Sequence, residues 1–173
     1  QYILIYKYVS IFMGYDTSAL LDLGERHYPE RLPLFRPIWE FLYTSIDEGT
    51  VISVEQVKDE IARKSQDWRA DFLARAEKMF LLDEAIEREF ARVVQEIEAN
   101  SKFNSNSHRD RFMSGADPWC IALAHVQGDI TVVSGEKKNL SSYGLGEVCR
   151  ELGVRHINVI DLFEENSVGA GTR

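Results

Sequence analysis

Short apolar runs alternate with longer amphipathic stretches along most of this chain. The runs near 3–15, 50–54, 79–82, 129–134 and 155–160 read as strands. Ile130 to Val133 is short and β-branched, as expected for a strand buried on both faces. Between these runs, stretches near 34–48, 54–64, 66–77, 83–99, 117–127 and 143–152 carry a helical pattern. The clearest begins at Asp83, an acidic N-cap, and runs through Ile86, Phe90, Val93, Val94 and Ile97 at helical spacing. Strands separated by helices predict βαβ units, and so an α/β fold with a central parallel sheet covered on both faces.

Two segments break the pattern. Residues 100–108 are polar and rich in Asn and Ser, which reads as a surface connector or, functionally, as a mobile flap. The tail from Glu165 carries Gly169 and Gly171 and is expected to fray, leaving one domain over 1–164. Residues 1–7 are a leader or the start of the first strand, and Met13 is an alternative start.

The bulk numbers narrow the picture further. A chain of 173 residues can bury a real core as one domain. Cys120 and Cys149 lie far apart with no CxxC spacing, which favours buried free thiols in a reducing cytoplasm. The apolar N-terminal stretch lacks a basic region and a cleavage site and is short for a bilayer, so no membrane role is expected. The net charge of −8 excludes a generally basic nucleic-acid coat, so a nucleic acid would need a local basic rim. It leaves room for a basic protein partner.

Four acids stand where a carboxylate is costly: Asp16, Glu60, Asp117 and Glu136 each border an apolar segment. Asp16 ends the run from Tyr8 to Tyr15, and Glu136 follows Gly135 just past Val133. Asp117 opens the apolar stretch through Trp119, Cys120 and Ile121. Glu60 lies on the flank of a stripe through Val57 and Ile61, whereas Glu55 and Asp59 point to solvent. Each has a plain alternative. Asp16 can cap the next helix, Asp117 with Pro118 can simply start one, and Glu60 can pair with Arg63 or Lys64. Glu136 can be a loop acid near Lys137 and Lys138. Together they favour a shared site. Ligands in open α/β sheets collect at the carboxyl ends of strands, and acids gathered there repel unless a cation neutralises them. That points to a divalent metal and to phosphate chemistry.

The order of these motifs resembles that of the PIN-like nuclease domains, a fold shared by flap nucleases and by the ribonuclease toxins of bacterial toxin–antitoxin pairs. Asp16-Thr17-Ser18, Lys58-Asp59-Glu60, Ala116-Asp117-Pro118-Trp119 and Val133-Ser134-Gly135-Glu136 fall in the family's order. The most specific piece is Ser114 to Ala122, and with Glu147-Val148-Cys149 and Ile157 to Phe163 it looks like a functionally uncharacterised bacterial branch. The resemblance covers roughly residues 8–164 and departs at Glu136, where many members carry Asp.

The resemblance implies a three-layer α/β/α PIN-like fold and a cytoplasmic endoribonuclease. Mg²⁺ or Mn²⁺ would be held by Asp16, Asp117 and Glu136, with Glu60 ligating or positioning a water. Such ions lower the pKa of an attacking water and stabilise the leaving oxygen of a phosphodiester. Thr17, Ser18 and Ser134 would support the acids, and Arg109, Arg111, Lys137 and Lys138 are candidates for phosphate contact. The implied partners are an RNA substrate and an antitoxin protein, with a homodimer as a further option. His27, His108, His125 and His156 show no zinc-binding spacing, and no P-loop or dinucleotide fingerprint is present. The alternative is a PIN-like module with weak catalysis that binds RNA or protein. A metal-dependent phosphatase on a similar sheet is weaker, because Ser18 replaces the second Asp of the paired motif.

Overall fold

The computed structural model describes residues 12–64, 67–103, 106–135 and 144–168. Its strands are β1 (Phe12–Tyr15), β2 (Val51–Val54), β3 (Phe80–Leu81), β4 (Ile130–Ser134) and β5 (His156–Asn158). They form one sheet in the order β3-β2-β1-β4-β5, with every pair parallel. All residues of β2 and β4 are buried, which explains why their runs are apolar without alternation.

The crossovers carry α1 (Thr17–Leu21), α2 (Arg36–Asp47), α3 (Glu55–Ala62), α4 (Asp67–Arg75), α5 (Glu84–Ala99), α6 (Asn106–Ser114), α7 (Asp117–Gln127) and α8 (Leu145–Glu151), and α9 (Val159–Glu165) follows β5. A six-residue π-helix, Asp22–His27, continues α1. From β1 the chain steps outward to β2 and β3, then crosses to β4 on the other side of β1 and on to β5. Right-handed crossovers taken in opposite directions place their helices on opposite faces, giving three layers, α/β/α. Helix α7 is central. It lies against β1, β2 and β4 and runs beside α5, where Trp119 stacks on Phe90 at a centroid distance of 3.8 Å.

The direction of travel reverses between β1 and β4. In open α/β sheets, ligands bind at the carboxyl ends of the strands at such a reversal. The two strands stay paired to that edge, with Tyr15 opposite Val133 and the Asp16 amide donating to the Val133 carbonyl at 3.0 Å.

Three sequence expectations are corrected. The strand expected over 155–160 stops at Asn158, whose side chain accepts from the Asp161 amide at 2.8 Å and starts α9. Around the expected connector, a 3₁₀ turn at Ser101–Phe103 is followed by α6, with Phe103 and Phe112 both buried. Glu165 does not begin a frayed tail: it closes α9 and pairs with Arg155 at 2.6 Å. Residues 1–11, with the proposed leader, and 169–173 lie outside the described residues.

Candidate functional site

The first side chain past β1 is Asp16, 3% exposed. It caps α1: one carboxylate oxygen accepts from the Ala19 amide at 2.7 Å, and the other from the Ser18 hydroxyl at 2.7 Å. Ser18 Oγ in turn accepts from the Gly135 amide at 2.8 Å, past the end of β4. The capping role and the position at the carboxyl edge of the sheet are therefore both present. Asp16 and Ser18 tie the loop after β1 to the loop after β4.

Glu60 makes the second tie. Its Oε2 accepts from the Thr17 hydroxyl, and its Oε1 accepts from the Ala116 amide at 2.9 Å. These partners replace the Arg63 or Lys64 pairing that the sequence offered. One carboxylate on α3 thus joins the residue after Asp16 to the residue before Asp117.

Asp117 does not cap α7. The cap position belongs to Ala116, whose backbone is already helical (φ −76°, ψ −18°), and Asp117 is the first helical residue, with Pro118 next. One turn further on, the Cys120 thiol is pushed up by burial, then by Asp16, Asp117, Cys149 and Glu60. Three of the predicted acids therefore lie within electrostatic reach of one buried atom.

Ser134 is buried, with Oγ 2.7 Å from His156 Nε2 on the β5 side. Arg109 and Arg111 lie on α6, where Arg109 faces Asp110 at 3.9 Å and Arg111 is exposed. Glu136, Lys137 and Lys138 lie outside the described residues. Among the described residues, no group of three or more His, Cys, Asp or Glu is arranged to hold a metal ion.

Asp22 is a residue the sequence reading missed. It is 8% exposed and borders the same edge, since a Cβ added to Gly135 would lie 2.3 Å from its Oδ2. Its only sequence signal is Arg26 four positions on, which any surface helix can show.

The donor set suits a hard cation. Asp16, Glu60 and Asp117 offer only carboxylate oxygens, the ligand type that Mg²⁺ and Mn²⁺ prefer. Each oxygen of Glu60 keeps a second lone pair beyond the hydrogen bond it accepts.

Fold and edge together define a three-layer α/β protein with Asp16 at the carboxyl end of β1 and Asp22 beside Gly135, the residue after β4. The chain belongs to the family described as a domain of unknown function, DUF4411, which matches residues 14–169. No curated protein and no solved structure matches it. No helix among the described residues is long and apolar enough to cross a membrane.

Proposed function

We propose that this chain is a metal-dependent endoribonuclease of the PIN-like kind, hydrolysing RNA phosphodiester bonds. The observation that carries the reading is the double bond-making of Glu60, which draws the Asp16 and Asp117 segments together across α3. That arrangement falls at the reversal point of the sheet, where ligands of open α/β folds collect.

In this reading Asp16, Asp117 and Glu136 hold Mg²⁺ or Mn²⁺, and Glu60 sets their spacing or adds an oxygen. The cation, when bound, supplies positive charge against the phosphate and makes nearby water more acidic. The chain's own part is preorganisation. The Ala19 amide and the Ser18 hydroxyl fix the Asp16 carboxylate. Thr17 and Ala116 fix Glu60, so neither acid must reorient on binding. A toxin of a toxin–antitoxin pair is the biological setting that goes with this activity, the antitoxin being its protein partner.

A second reading is favoured by one observation. All four oxygens of Asp16 and Glu60 already accept a bond from the protein itself, as expected for a PIN-like module that binds RNA or protein with weak catalysis. Incubation of single-stranded RNA with the protein and Mn²⁺ separates the two. The endoribonuclease reading expects cleavage that EDTA abolishes and that Asp117→Asn lowers about a hundredfold or more. RNA bound but left intact would move the assignment to the module, and cleavage surviving EDTA would contradict the metal mechanism.

A further inference from the structure

Of the π-helical segment Asp22–His27, only Asp22 has so far been placed at the acid-bearing edge. π turns are rare and concentrate at functional positions, and their wider winding brings residues four and five positions apart together. Here Asp22 Oδ1 lies 3.0 Å from Arg26 Nη1 and 3.9 Å from His27 Nε2. The Asp22 carboxylate is pressed against Gly135, whose amide bonds the same Ser18 hydroxyl that bonds Asp16. The segment's other side is anchored. The Trp68 ring covers Gly24, so that a Cβ there would meet it at 2.2 Å, and buried Arg69 pairs with Glu25.

We propose that Arg26, oriented by Asp22, is a phosphate-binding residue of the substrate site, contacting the RNA backbone beside the cleaved bond. The inference rests on the endoribonuclease reading. A guanidinium carries five N–H donors in a planar fork suited to the paired oxygens of a phosphodiester. Asp22 takes one of these donors, and the Arg26 side chain is 52% exposed. A chain of net charge −8 needs a local basic rim to admit a polyanion. Arg26 supplies such a charge, because its partner Asp22 lies against Gly135, whose amide bonds the Ser18 hydroxyl that bonds Asp16. An ordinary i, i+4 surface pair would not need an acid buried at the glycine that precedes Glu136. Asp22 is a positioning residue: it turns the fork and leaves the contact to Arg26.

The test is steady-state cleavage of single-stranded RNA with Mn²⁺ over a range of salt concentrations. It compares the unmodified chain with Arg26→Ala, Arg26→Lys, Asp22→Asn and, on the exposed part of α5, Arg88→Ala. Arg26→Ala is expected to raise KM about tenfold and to keep kcat within about twofold. The slope of log KM against log salt should fall by about 0.7, the share of one single-strand phosphate contact. Arg26→Lys should restore the salt slope and part of KM, because the charge returns without the fork. Asp22→Asn should raise KM less and keep the slope, and Arg88→Ala should change neither. An unmodified chain that cuts RNA while Arg26→Ala matches it in KM and salt slope would overturn this inference alone. A fall in kcat at constant KM would overturn it too. An unmodified chain that cuts no RNA would overturn the endoribonuclease reading, and this one with it.

Discussion

Glu60 holds two loops with one carboxylate, so its replacements separate scaffolding from ligation. Glu60→Ala leaves the buried Ala116 amide without its acceptor and is expected to cost about 1–3 kcal/mol in urea unfolding. Glu60→Gln can keep both contacts, its amide oxygen accepting from Ala116 and its NH₂ donating to Thr17 Oγ. It should therefore melt close to the unmodified chain, and a loss of Mn²⁺ response in that variant would place Glu60 among the ligands. Cys120 gives a second residue-scale prediction. Burial first, and the nearby acids next, push its thiol up, so the folded chain keeps that proton to higher pH than the unfolded chain does. This contribution to stability is full below the ordinary thiol range and is lost as pH rises through it toward the folded value. Unfolding free energies measured from about pH 8 to about pH 10 should fall, and Cys120→Ala should flatten the decline. A Cys120→Ala profile identical to that of the unmodified chain would remove the thiol from the account.

At the scale of elements, β2, β4, α5 and α7 were legible because burial on one or both sides writes itself as apolar runs or stripes. The misread elements share another cause. Val159 and Ile160 look like strand residues by β-branching, but the Asn158 side chain caps the turn that follows and starts α9. The Asn and Ser residues over 100–108 look like loop, whereas buried Phe103 and Phe112 hold the neighbouring turns. The π-helix was invisible for a different reason: Trp68 and Arg69 of α4 pack against it, and no local pattern records such contacts. Gly24→Ala drives a methyl into the Trp68 ring and should cost about 1–3 kcal/mol. A circular-dichroism melt that leaves Gly24→Ala unchanged would show that this packing carries no weight.

For the whole molecule, the sheet order decides where chemistry can sit, and the acids follow it. Asp16 was legible because a strand must deliver its last residue to the carboxyl edge. Asp117 was legible because an apolar helix must start somewhere, and it is the first helical residue of α7. Asp22 was not legible, because its place beside Gly135 arises only when β1 and β4 pair. Part of the net charge of −8 is gathered at this one edge, and a bound cation would relieve the repulsion there and stabilise the fold by mass action.

The central claim is that these carboxylates act as one cation-binding group. The direct measurement is the melting temperature in rising Mn²⁺ for the unmodified chain and for Asp16→Asn and Asp117→Asn. The expected result is a rise that saturates in the unmodified chain and is lost in both variants. An unmodified melting temperature that ignores Mn²⁺, or a rise of equal size in all three proteins, would contradict it.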